Sequence, residues 1–111
     1  MKDRFGLKTD TIQKINQVLA AYPQVEQAIL YGSRAKGNYK NGSDIDLVLS
    51  GDRELTLKLF YQIANDLDDL LLPYTIDLSI LSDIHDPDLL GHIQHVGKLF
   101  YKKGEMLLSP L

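Results

Sequence analysis

A glycine-serine pair, Gly32-Ser33, is followed after ten residues by Asp44-Ile45-Asp46, and a third aspartate, Asp77, stands in a later apolar stretch. Around the first two acids Ile45, Leu47 and Leu49 alternate with Asp44, Asp46, Val48 and Ser50; around the third, Ile76, Leu78 and Ile80 alternate with Asp77 and Ser79. A period of two belongs to half-buried strands. If the apolar sides face a core, all three carboxylates share the opposite face, close together where the two strands are neighbours. Aspartate is depleted in strands, and like charges side by side on a sheet repel. Converging carboxylates either protonate or take up a cation. Hard oxygen ligands with open coordination positions suit Mg²⁺ or Mn²⁺, completed by a substrate phosphate. The chemistry this points to is phosphoryl or nucleotidyl transfer at a metal site. Gly32 lets the backbone approach a phosphate closely, with N–H groups and the Ser33 hydroxyl as donors. The loop is no Walker A element, because Asn38 follows Gly37 and Ser43 follows Gly42 where lysine is required. Taken singly, Gly32-Ser33 reads as a plain turn and Asp44 and Asp46 as the wet side of an edge strand. Their joint spacing, with Asp77 aligned, favours the site.

The elements that must position these residues follow from pattern. Ile12, Ile15, Val18, Leu19 and Tyr22 recur at helical spacing, so a helix is expected over 10–22 with Asp10 as its N-cap and Pro23 as its stop. A buried strand is expected over 25–31, then a glycine-rich loop over 32–42 with room for one helical turn. Strands are expected over 44–50 and 75–81, separated by the longest helix, 54–72, closed by Pro73. Asp86 as N-cap and Pro87 at the first helical position open a short helix through Val96, with Gly97 beyond it. A short edge strand over 98–102 completes the order. The expected fold is a single α/β (α+β) domain, a small mixed sheet with helices packed on one face.

Composition excludes much. The 111 residues hold 12 Lys plus Arg against 15 Asp plus Glu, a formal charge of −3, which lacks the footprint of a non-specific nucleic-acid binder. With no cysteine there is no disulfide, thiolate zinc site, iron–sulfur cluster or Cys nucleophile. No apolar run approaches the roughly 18 residues that span a bilayer, and the first residues lack a signal-peptide pattern, so a cytoplasmic protein is expected. His92 and His95 read as exposed helix residues, Lys40 as a solvated loop charge, and Asp66, Asp68 and Asp69 as the wet side of the long helix or part of a partner surface. The apolar tail at 106–111 packs on its own domain or docks on another subunit.

The text GSRAKGNYKNGSDIDL, with Asp77 on a later strand, resembles the signature of the polymerase-β-type nucleotidyltransferase superfamily. It is most similar to the minimal nucleotidyltransferase (MNT) proteins, antitoxins to helical HEPN toxins. The resemblance implies the nucleotidyltransferase fold. It also implies that Gly32 and Ser33 hold the triphosphate of ATP, with Arg34 and Ser43 in the nucleotide-contacting set, and that Asp44, Asp46 and Asp77 are catalytic and ligate two Mg²⁺ ions. Lys36 stands where many relatives have arginine, a point charge in place of a bidentate fork. The implied reaction transfers AMP to a tyrosine of a HEPN partner. Two ions about 3.5 to 4 Å apart can stabilise both oxygens of an in-line displacement. Larger relatives hold the acceptor on an extra domain; here a partner is expected to present it, within a hetero-oligomer and without direct nucleic-acid or membrane contact. The alternative is a non-catalytic antitoxin that neutralises its partner by covering it; transfer to a small molecule is the less favoured third reading.

Overall fold

The first amphipathic stretch folds as helix α1 (Thr9–Ala20), burying Ile12, Ile15 and Leu19 along one stripe, in the computed structural model of the chain, which describes residues 4–104. The apolar tail at 106–111 thus lies outside the described residues. The N-cap of α1 is Lys8, and Asp10 sits inside the first turn. Burial of Leu7 and its bridge to Arg4 start the helix two residues earlier than expected. Asp10 therefore faces the positive end of the helix dipole and does not cap it.

The expected strands form as β1 (Val25–Tyr31), β2 (Ile45–Gly51), β3 (Ile76–Ile80) and β4 (Lys98–Lys102). They lie in the order β3-β2-β1-β4, with β2 and β3 parallel and β1 antiparallel to both β2 and β4, so the sheet is mixed. Glycine and two basic residues after β1 form a short helix, α2 (Gly32–Lys36), ended by Gly37 at φ 90°. Helix α4 (Pro87–Val96) starts as read, with the Asp86 carboxylate accepting the Asp88 N–H at 3.0 Å. A single 3-10 turn, Leu81–Asp83, takes up the residue expected at the end of β3.

Helix α3 (Leu57–Asp68) is shorter than its apolar pattern and matches α1 at 12 residues, so it is not the longest helix. At its start, the Asp52 carboxylate accepts the Glu54 N–H and Thr56 Oγ1 accepts the Leu59 N–H, which delays the first turn. At its end, Leu71 adopts φ 56°, outside any helix. Leu70 and Leu72 still pack on the core from this non-helical segment, which is why the apolar spacing runs on past the helix.

Ile45, Leu47 and Leu49 are fully buried, beneath α1 and α3, with Ile76 and Leu78 beside them. The register pairs Ile45 with Ile76 and Leu47 with Leu78. In β4 a bulge opposite Ala28 and Ile29 turns both Phe100 and Tyr101 into this core. The other face is partly covered too. Helix α4 packs against β1 there, with Ile93 and Val48 buried. Among the described residues no helix is long and apolar enough to cross a membrane.

Leu71 is 87% exposed in a left-handed conformation that costs a branched side chain free energy. Leu71→Gly is expected to stabilise the fold by about 0.5–1 kcal/mol after allowing for the entropy of glycine, read from the midpoint of urea unfolding.

Candidate functional site

Tyr31 on β1, Asp46 on β2 and Asp77 on β3 form one cross-strand row, because Tyr31 pairs with Asp46 and Asp46 with Asp77. Asp44, two residues before Asp46, belongs to the same face. Asp44 and Asp77 are exposed and Asp46 is half-buried between them. The carboxyl of Asp46 is held above its usual range, first by burial and then by the charges of Asp77 and Asp44, with His92 opposing. Burial likewise raises the Tyr31 phenol, and the charges of Asp77 and Asp46 add to it. The three acids expected to share a face therefore do so. Among the described residues, no three His, Asp or Glu side chains close on one another tightly enough to hold a metal ion unaided. The three carboxylates form an open acidic face.

Gly32 opens α2 at φ 74°, and a Cβ there would collide with the Asp46 Oδ2 atom. Two requirements thus select glycine: the left-handed backbone and the carboxylate lying against it. The close approach read from sequence as room for a phosphate is in the first instance room for Asp46. Ser33 follows, half-buried in the first turn of α2. The Gly32 N–H donates to His92 Nε2 at 3.2 Å, and the His92 ring meets Tyr31 edge-on with centroids 6.2 Å apart. His92 is therefore half-buried beside the acids, not on an exposed helix face, whereas His95 is exposed as expected. Its one sequence cue is its place next to the buried Ile93; the partner amide lies 60 residues away.

Arg34 and Ser43, expected in the nucleotide-contacting set, are engaged within the protein. Arg34 is 3% exposed. Its Nε and one terminal nitrogen donate to the Ser43 carbonyl at 3.1 and 2.9 Å, and the other terminal nitrogen donates to the Phe5 carbonyl at 3.0 Å. The guanidinium lies 4.9 Å from the Tyr74 ring centre and 5.2 Å from that of Tyr39. The Ser43 hydroxyl accepts the Lys40 N–H at 2.8 Å, closing a tight turn. Arginine and serine here tie the loop after α2 to the body of the protein, because a buried guanidinium must satisfy its donors locally.

A carboxyl whose pKa is raised on folding favours the folded state only while protonated; that benefit is complete below the unfolded value and fades as pH rises through the folded one. Asp46→Asn is accordingly expected to raise the thermal midpoint of the metal-free protein at pH 7, with the gain shrinking toward pH 4. Arg34→Lys, which cannot reproduce the two-nitrogen grip on Ser43, is expected to cost about 1.5–3 kcal/mol in denaturant unfolding.

The sequence model of the polymerase beta nucleotidyltransferase family matches residues 13–106. Solved structures share the fold. A toxin–antitoxin complex with AMP-PNP gives a TM-score of 0.67 at 23% identity, over 84% of this chain and 74% of that one. The MntA–HepT toxin–antitoxin gives 0.64 at 21%, over 86% and 74%. A tri-AMPylated Shewanella oneidensis HEPN toxin in complex with its MNT antitoxin gives 0.62 at 21%, over 84% and 71%. A sequence search of curated proteins gives no match.

Proposed function

From the premise that the chain belongs to the polymerase β nucleotidyltransferase family, we propose that it transfers AMP from ATP to a tyrosine hydroxyl of a HEPN-type helical toxin, serving as the MNT antitoxin of that pair. The observation that carries this reading is the row of Asp46 and Asp77, with Asp44 on the same face, set against the glycine turn at Gly32. The solved relatives support it: one holds AMP-PNP, and another is an MNT antitoxin with an AMPylated HEPN toxin.

The donor set is all carboxylate oxygen, which fits Mg²⁺ or Mn²⁺ in hardness and charge. Asp46, raised first by burial and then by the charges of Asp77 and Asp44, is a group whose charge a cation would relieve. Asp44, Asp46 and Asp77 would hold Mg²⁺, two ions in the fullest form of this reading, with the nucleotide phosphates completing a coordination that the protein leaves open. Bound there, Mg²⁺ supplies charge neutralisation for the triphosphate and for the oxygens that enter and leave.

The chain's own residues do the positioning. The Ser33 hydroxyl beside the Gly32 turn is the donor placed to hold the triphosphate. Asp77, exposed on edge strand β3, stands where an acceptor side chain can reach it. The tyrosine oxygen bonds to the α-phosphorus, the bond to pyrophosphate breaks, and the phenolic proton passes to the Asp77 carboxylate and on to water. Catalysis of this kind is mostly orientation and electrostatics.

Radiolabelled ATP, Mg²⁺ and a HEPN protein encoded beside this chain test the proposal together. The partner is expected to take up label in an EDTA-sensitive way, and Asp44→Asn/Asp46→Asn to lower the rate more than about a hundredfold. A double variant that transfers no label yet still neutralises the partner would identify a binding antitoxin instead.

A further inference from the structure

Gly32 has little of its own to hold it. It lacks a side chain, its backbone is left-handed, and glycine is the residue with the most conformational freedom to lose. Yet its position matters, because the space a Cβ would take at this residue is held by Asp46 Oδ2. The long-range tie that reaches its amide is the imidazole of His92, at 3.2 Å. That imidazole is itself well anchored. The next residue, Ile93, is buried, and its carbonyl accepts the Gly97 N–H at 2.8 Å, fixing the end of α4. The Gly97 backbone in turn leaves no room for a Cβ beside Ile29 of β1. On its other side the His92 ring is braced by Tyr31, the β1 residue paired with Asp46. The accepting nitrogen is Nε2.

We propose that His92 is a positioning residue of the acidic site: by accepting the Gly32 amide it clamps the glycine turn against the Asp46 carboxylate and so fixes how Asp46 presents its oxygens to a divalent cation. The inference rests on the nucleotidyltransferase reading above and adds to it a residue outside the motif. It works as supporting hydrogen bonds do at metal sites, where orienting a ligand through a neighbour alters affinity about 10- to 100-fold.

Side-chain reach separates this role from simple packing. Glutamine can place its carbonyl oxygen where Nε2 lies, whereas asparagine ends short of it and leaves the amide without an acceptor. The test uses the full chain, with Mn²⁺ and a non-hydrolysable ATP analogue as probes, alongside thermal midpoints and hydrogen exchange of the Gly32 amide in metal-free protein. His92→Asn is expected to speed that exchange and weaken Mn²⁺–analogue binding about tenfold, while His92→Gln binds as the natural protein does. Equal binding by the Asn variant and the natural protein would overturn the inference, as would a loss in both variants that merely follows a falling midpoint. If the natural protein itself binds neither probe, the nucleotidyltransferase reading fails, and this inference fails with it.

Discussion

Ile45, Leu47 and Leu49 cannot be buried without turning Asp46 out of the opposite side of the same strand, and the parallel register with β3 then sets Asp77 beside it. Folding and chemistry are joined by this alternation. The hydrophobic gain from the core side holds like charges together on the other, against a repulsion that alone would separate them. The carboxyl of Asp46 is raised first by its burial and then by this repulsion from Asp77 and Asp44. A slip of one residue would bury the acids and expose the leucines, so the register that preserves the core is also the one that assembles the site.

The second face is not simply left open. Helix α4 covers the β1 end of it, and the hydrogen bond from Gly32 to His92 brings that helix to the edge of the acidic row. The site is therefore bordered by two kinds of support, a sheet whose register places the carboxylates and a helix that touches the turn beside them. Arg34 contributes at a distance. By gripping the Ser43 and Phe5 carbonyls between two tyrosine rings, it secures the connection between α2 and β2, and Asp44 is the residue that follows Ser43.

Much of this was legible from residue order. Strands β2 and β3 followed from the period of two, β1 from its short apolar run beside a glycine, and the joint face of Asp44, Asp46 and Asp77 followed from the alternation in β2 and β3. Helix α4 announced itself through Asp86 and Pro87. What sequence could not give were decisions made by tertiary packing. Helix α3 stops at Asp68 although apolar residues continue, because Leu70 and Leu72 reach the core without being helical. Nothing in the order of the glycine-rich loop shows that Phe5, Tyr39 and Tyr74, brought together only by the fold, enclose Arg34. His92 shows no periodic or motif signal, since its meaning depends on an amide from a distant segment.

The bulge in β4 has an outcome at the sheet's outer margin. With Phe100 and Tyr101 both directed inward, that strand cannot shift by one position without ejecting an aromatic ring, and its backbone is kinked where a foreign strand would need it straight. Lys98 and Lys102 add charge at its two ends. A small open sheet is ordinarily a template for runaway stacking of copies, and this margin is built to refuse it.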